Sequence, residues 1–101
     1  MFSFETASDA HIKQEKEKAR KMRKSNWWFS KVQKEGKCYY CGVELNRKTA
    51  TMDHILPISR GGKTTKGNIA LCCKDCNSKK KYYTPVEWQF FLENNKDSSD
   101  S

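Results

Sequence analysis

The chain has 101 residues, 36% of them hydrophobic and 32% charged, so it is long enough for one domain and too short for two with separate cores. Twenty Lys and Arg residues against twelve Asp and Glu residues give a formal net charge of +8, which favours a polyanionic partner such as nucleic acid or an anionic membrane face. No apolar stretch approaches the roughly 20 residues that span a membrane, and the first residues lack a secretory pattern, so we exclude a membrane protein and expect an intracellular, cytoplasmic one.

The first part of the chain predicts a basic helical arm. Residues 1–8 carry no pattern, and Asp9 is predicted to cap a helix that runs to about Arg23, because Lys, Glu, Gln, Ala and Arg are good helix formers. Its apolar content is thin, so the helix is expected to face solvent or a ligand. We assign residues 1–24 to a flexible or helical basic arm, in which a nucleic-acid contact and a simple solvated face both stay open. His11 lies outside any motif and is expected to have no role.

A second helix is predicted to begin at Ser25 or Asn26 and to end at Gly36. Trp28 and Val32 stand four residues apart, which places them on one face of this helix. We therefore expect at least one aromatic side chain here to pack on the zinc module as part of the core, with base stacking as the alternative.

A final helix is predicted after Thr84. The threonine can cap the helix, Pro85 suits its first position, and Glu87 completes a capping box. An apolar face of Trp88, Phe91 and Leu92 is expected to lie on the core. We expect residues 94–101 to form a polar, disordered tail.

Five cysteines provide the strongest chemical signal in the sequence. Four of them form two CxxC pairs separated by 31 residues, and this pattern predicts a closed tetrahedral thiolate site for a structural zinc ion. The predicted ligands are Cys38, Cys41, Cys73 and Cys76. Cys72 is the remaining cysteine; on a strand it would face away from Cys73, so we expect a small buried apolar residue.

The segment between the two cysteine pairs carries further motifs in a fixed order. They are Asp53-His54-Ile55-Leu56-Pro57, then Gly61-Gly62, then Asn68-Ile69-Ala70-Leu71, and finally Cys76-Asn77. Together with the CxxC pairs, this combination resembles the HNH endonuclease family, in its zinc-binding branch. The resemblance covers Cys38 to about Lys81.

The resemblance implies an α+β fold, a small zinc-stapled ββα-metal (His-Me finger) domain with flanking N- and C-terminal helices. The residues alone are compatible with that fold: one strand ends near Asp53, a second runs from Asn68 to Cys73, and a helix runs from about Asp75 to Tyr83. The nuclease domain is assigned to residues 25–93.

The family also implies roles for four residues of this sequence. His54 would be the general base, while Asp53 and Asn77 would hold a catalytic divalent cation. Oxygen donors favour Mg²⁺ or Mn²⁺ for that cation. Asn68 would tie down the long loop. Because neighbouring strand residues face opposite sides, Asp53 and His54 can share a cleft only where the strand ends or twists.

Basic residues near these motifs are predicted to contact phosphates: Arg60, Lys63, Lys66, Lys79, Lys80 and Lys81. The three successive lysines at 79–81 cannot all face one groove, so part of that run is expected to be solvated. The expected function is a metal-dependent endonuclease acting on nucleic acid, with DNA preferred to RNA, no membrane partner and a monomer as the default. The family resemblance implies a bacterial or phage-encoded protein. A non-catalytic zinc module that binds nucleic acid is the alternative, and a RING- or LIM-type interaction domain is disfavoured by the single four-ligand set.

Overall fold

The computed structural model describes residues 6–94. Within that range the helices are α1 (Asp9–Met22), α2 (Asn26–Glu35), α3 (Lys74–Lys80) and α4 (Pro85–Asn94), and the strands are β1 (Thr51–His54) and β2 (Ile69–Cys72). The two strands and α3 form a ββα unit, with α1 and α2 before it and α4 after it. The predicted α+β class and ββα arrangement are confirmed.

Local side chains set the helix boundaries. Ser8, one residue before the predicted cap, accepts the hydrogen bond from the His11 backbone N–H that begins α1. Ser25 caps α2 in the same way, accepting from the backbone N–H of Trp28. Gly36 ends α2 at a φ of +55°, a conformation that favours glycine because it has no Cβ. The predicted bounds of α2 are thus confirmed.

The two strands pair antiparallel, with Met52 opposite Leu71 and His54 opposite Ile69. Alternation along the strands places these four side chains on one face of the sheet. Helix α2 covers this face with Trp28, in the buried cluster of Trp28, Val32, Ile69 and Leu71. Core packing of a tryptophan is therefore confirmed. The opposite face carries Asp53 toward α3.

The loop of residues 55–68, which joins the strands, is held by side-chain hydrogen bonds. Asn68 accepts from the Leu56 backbone N–H over 2.8 Å and donates to the carbonyls of Leu56 and Lys63 over 3.0 and 2.9 Å. At Gly62, a Cβ atom would stand 1.7 Å from the Leu56 carbonyl oxygen. Only glycine can occupy this position, because the backbone passes too close for a side chain.

Helix α1 packs against this loop. His11 Nε2 lies 2.9 Å from the Gly62 carbonyl oxygen, and Glu15 bonds to Thr64 of the loop. Both Glu15 and Ala19 are buried. The expectation of a helix exposed to solvent or ligand along its length is therefore wrong for this side of α1. His11 is likewise not a bystander, since its ring helps to dock the helix.

Helix α4 begins with the predicted capping box: the Thr84 backbone donates to Glu87 Oε1 over 2.9 Å, and the Glu87 backbone donates to Thr84 Oγ1. Trp88 is buried and stacks on Phe91, with ring centroids 5.4 Å apart. Leu92 is 40% exposed, so its predicted place on the apolar face is wrong. Of the predicted tail 94–101, Asn94 ends α4, and the other residues lie outside the described part of the chain. No helix in the described range is long and apolar enough to cross a membrane.

Candidate active site and metal centre

Two CxxC turns and the start of α3 bring four cysteine sulfurs together. The Sγ atoms of Cys38, Cys41, Cys73 and Cys76 all lie within 4.8 Å of one another, and those of Cys41 and Cys73 are 3.8 Å apart. Zinc–sulfur bonds of about 2.3 Å in a tetrahedron require sulfurs roughly 3.8 Å apart. The four thiols can therefore hold a metal ion such as zinc.

Cys72 stands apart from this set of ligands. Its side chain is fully buried and packs against Cys38 and Cys76. It is the small buried residue that was expected, but it lies beside the cysteine site. Burial raises the pKa of the Cys72 thiol, with a further contribution from the charge of Asp53, so the group stays neutral.

Asp53, His54 and Asn77 line one cavity of about 350 Å³, which we name the β1 cleft. The strand ends at His54, which allows two successive side chains to border the same space. The cleft is also lined by residues from α1, from the loop and from the end of α3, among them Ile12, Lys16, Pro57, Ser59, Lys81 and Tyr82.

His54 is partly buried at the edge of the sheet. Its Nε2 atom lies 2.9 Å from Thr64 Oγ1. Burial lowers the pKa of His54 and outweighs the neighbouring Asp53 charge, which acts in the opposite direction. The imidazole is therefore neutral near pH 7, the state in which it can accept a proton.

Asp53 is 4% exposed and is held from two sides. Tyr40 Oη donates to its Oδ2 over 2.5 Å, and Lys80 Nζ lies 3.4 Å from its Oδ1. The same ammonium group donates to the backbone carbonyls of His54 and Ile55, each over 3.2 Å. Lys80 therefore fixes the end of β1.

This position does not fit the predicted role of Lys80 as a phosphate contact. Its side chain is 1% exposed, so the ammonium cannot reach a nucleic acid on the surface. A buried Lys and Asp need each other, because either charge alone in the interior would be costly. In the row of lysines at positions 79–81, the middle one points inward.

Tyr40 connects the cysteine site to Asp53, since it lies between Cys38 and Cys41 in the sequence. Burial raises the pKa of Tyr40, and its hydrogen bond to Asp53 raises it further, so the phenol stays protonated and donates. Its ring also packs edge-on against Trp88, with centroids 5.6 Å apart. Nothing in the sequence singles out this residue, because CxxC spacing carries no information about the residues between the ligands.

Asn77 follows the cysteine ligand Cys76 in the first turns of α3. Its Nδ2 donates to Thr51 Oγ1 over 3.0 Å, which leaves the amide oxygen as the atom that can bind a cation. Two carboxylate oxygens offer about four lone-pair positions, of which Tyr40 and Lys80 use two at Asp53. One carboxylate and one amide oxygen bordering the same cleft fit a hard divalent cation.

The remaining predicted phosphate contacts occupy different environments. Arg60 pairs with Glu87 over 2.8 Å, and its side chain is only 14% exposed, so it holds the loop to α4 and does not fit the predicted role. Lys79 is exposed and pairs with Asp75. Lys63 and Lys66 are exposed, and the Lys66 ammonium lies 5.8 Å from the Trp27 ring centroid.

Two other lysines border the β1 cleft directly. Lys16 reaches it from α1, and Lys81 reaches it from the residue after α3. Lys81 is one of the phosphate contacts predicted from the sequence, and Lys16 belongs to the predicted basic arm. Net basic charge around position 16 was visible in the sequence, but the docking of α1 that brings Lys16 to the cleft was not.

Comparisons with known proteins agree with this geometry. A protein-family model described as HNH endonuclease matches residues 38–90, just over half of the chain. Over 44 residues the chain is 36% identical to the CRISPR-associated endonuclease Cas9 of Actinomyces naeslundii. That segment is 43% of this chain and 4% of the relative, so the chain spans only a small part of that protein's length.

Proposed function

Because the chain belongs to the HNH endonuclease family, we propose that it is a metal-dependent endonuclease that hydrolyses phosphodiester bonds of nucleic acid, with His54 as general base. The observation that carries this proposal is the shared cleft: His54, Asp53 and Asn77 border one cavity. A neutral imidazole, a carboxylate and an amide oxygen are the groups that hydrolysis by an activated water requires.

The neutral His54 ring takes one proton from a water molecule as the water oxygen bonds to phosphorus. The bond between phosphorus and the 3′ oxygen breaks, the leaving oxygen takes a proton from solvent, and the products carry a 5′ phosphate and a 3′ hydroxyl. Asp53 and Asn77 would hold the divalent cation, Mg²⁺ or Mn²⁺, which when bound neutralises charge on the phosphoryl oxygens and the leaving oxygen. Lys16 and Lys81, at the border of the cleft, provide positive charge for the flanking phosphates.

We assign a structural role to the metal held by the four cysteines, with zinc as the ion. A closed set of four thiolates leaves no position for water. Its task is to fix the catalytic groups: Cys76 precedes Asn77 in the sequence, and Tyr40 lies inside the first CxxC pair and binds Asp53. The zinc-binding turns would thereby position both cation ligands.

A non-catalytic zinc module that binds nucleic acid is the second candidate. The Lys80–Asp53 ion pair favours it, because Asp53 already has a positive partner and a divalent cation must bind beside that lysine. Positive charge nearby lowers the affinity of an acidic site for a cation. The two candidates make the same prediction for binding and opposite predictions for cleavage.

Nicking of supercoiled plasmid over a series of Mg²⁺ and Mn²⁺ concentrations tests the proposal, with an RNA substrate in parallel. His54→Ala should slow cleavage by roughly 10²–10⁴-fold, the usual contribution of a positioned base. Its zinc content and nucleic-acid affinity should stay near those of wild type, because a general base contributes little to ground-state binding.

The matched control is His11→Gln, which changes the other histidine of the chain and keeps an N–H that can donate to the Gly62 carbonyl. It should cleave like wild type. Firm binding by wild type without cleavage in either metal would support the binding module instead. Equal cleavage by wild type and His54→Ala would contradict the role given to His54.

A further inference from the structure

Helix α1 lies outside the residues that match the family model, yet it contacts the proposed general base through one threonine. Thr64 Oγ1 lies 2.9 Å from His54 Nε2 and 2.9 Å from the backbone carbonyl oxygen of Glu15. The backbone N–H of Thr64 donates to Glu15 Oε1 over 2.6 Å. One residue of α1 therefore accepts hydrogen bonds from both the hydroxyl and the backbone N–H of Thr64.

The directions of these hydrogen bonds follow from the number of available protons. A threonine hydroxyl has one proton, and a carbonyl oxygen can only accept. If the Thr64 proton pointed at His54, two oxygen lone pairs would face each other 2.9 Å apart between Thr64 and Glu15. Both contacts are favourable only if Thr64 donates to Glu15 and accepts from a protonated His54 Nε2.

We infer that Glu15 and Thr64 are positioning residues that hold His54 in the tautomer with its proton on Nε2 and its lone pair on Nδ1. This inference rests on the proposed function and deepens it, because it names the nitrogen that accepts the water proton. It also makes α1 a part of the catalytic site. The helix thus does more than supply basic charge.

The burial of the two residues supports a rigid arrangement. Glu15 is 3% exposed and Thr64 is 9% exposed, and buried polar groups of this kind are tolerated when they are hydrogen-bonded. The Thr64 backbone N–H lowers the pKa of Glu15, and Lys18 contributes in the same direction. Glu15 is therefore an ionised acceptor that keeps Thr64 in place beside His54 Nε2.

The tautomer can be measured without any cleavage assay. The 101-residue, zinc-loaded chain labelled with ¹⁵N in histidine gives signals from two rings, His11 and His54, and His11→Gln identifies which is which. Two-bond ¹H–¹⁵N correlation spectra, recorded where both rings are neutral, show which nitrogen carries the proton. Wild-type His54 should be protonated on Nε2. A wild-type ring protonated mainly on Nδ1 would overturn the inference before any variant is made.

Substitutions then separate the hydroxyl from the rest of Thr64. Thr64→Val has the same shape and keeps the backbone N–H bond to Glu15, so only the Oγ1 contacts are lost, and the His54 spectrum should shift to a mixture of tautomers. Thr64→Ser should restore the wild-type spectrum. Thr65→Val is the control, because Thr65 is an exposed neighbour with no side-chain capping bond. A Thr64→Val spectrum identical to wild type would contradict the assignment.

Kinetics provide a second readout of the same variants. A misplaced base lowers kcat, while substrate binding depends on other groups, so Thr64→Val should lose about 10- to 100-fold in kcat with KM unchanged. Thr64→Ser should recover most of that loss. A rise in KM at constant kcat would overturn the positioning role. Absence of cleavage by wild type would count against the proposed function alone, since the spectra would still decide which tautomer Thr64 selects.

Discussion

At the scale of single residues, Lys81 combines backbone strain with a place at the β1 cleft. Its φ of +51° is the one positive value at a non-glycine residue in the described range, and its ψ is −119°. L-residues rarely adopt this conformation, which costs on the order of 1–3 kcal/mol. Residues held in this way cluster at functional sites, and Lys81 borders the cavity that contains His54 and Asn77.

Lys81→Gly should therefore separate stability from function. Removing the side chain relieves the strain, so the free energy of unfolding should rise by about 1 kcal/mol. Loss of the positive charge of Lys81 at the cleft should weaken nucleic-acid binding and slow cleavage. Denaturant melts and binding titrations measure the two effects.

Lys79→Gly provides the matched control within the same row of lysines. It lies in the last turn of α3 with ordinary helical geometry, so glycine should lower stability by about 0.5–1 kcal/mol. If both substitutions lowered stability equally, the strain assigned to Lys81 would be absent.

At the scale of elements, the CxxC turns connect three parts of the molecule. Cys73 caps α3, and Tyr40 in the first turn binds Asp53 on β1. The buried sulfurs Cys38 and Cys76 pack against Leu45 in the segment that follows α2. A domain of this size buries little surface, so a metal at this point would supply much of its folding free energy.

For two of the cysteines, the loss of stability on substitution should be the opposite of what their exposure predicts. Cys41 is exposed and Cys72 is fully buried, so burial alone predicts that Cys72→Ala is the more harmful change. Because Cys41 is one of the four cysteines that can hold a metal ion, Cys41→Ala should instead lose zinc and cooperative unfolding. Cys72→Ala should keep one zinc per chain and lose about 1–2 kcal/mol, the cost of a small cavity. Elemental analysis and thermal melts check both, and a zinc-loaded Cys41→Ala protein with a cooperative melt would refute the ligand set.

At the scale of the whole molecule, α1 forms one side of the cleft. Helical spacing places Ile12, Lys16 and Arg23 on the same side of α1. Ile12 and Lys16 border the cavity. The positive charge of Arg23 contributes to the lowered pKa of His54. Deleting the arm would also remove Glu15 and its bonds to Thr64, so a deletion cannot test the basic charge by itself.

Substitution of charged residues tests whether this side of α1 binds nucleic acid, without removing the helix. The double variant Lys16→Gln, Arg23→Gln should bind nucleic acid more weakly, with a dependence of log K on log salt that is shallower by about 1 to 2. Lys21→Gln, Lys34→Gln removes the same charge elsewhere and should leave the slope close to wild type. Equal slopes for the two double variants would show that net charge alone drives binding.

The sequence by itself determined the features that depend on neighbouring residues. The CxxC spacing predicted the four-cysteine site because two thiolates three positions apart reach one ion in a local turn. Ser25, Thr84 and Glu87 predicted helix ends because capping acts within one turn. The motif from Asp53 to Asn77 predicted the family and the ββα fold, since each motif is short and their order is fixed.

Only the tertiary structure decided which of these side chains meet. Glu15 and Thr64 are 49 positions apart, and no local pattern links an acidic residue of a basic helix to a loop threonine. Lys80 was indistinguishable from Lys79 in the sequence, and it turned inward because the buried Asp53 required a counter-charge. Such contacts depend on how elements pack, and packing is set by the shape and burial of the whole chain, which the spacing of residues does not record.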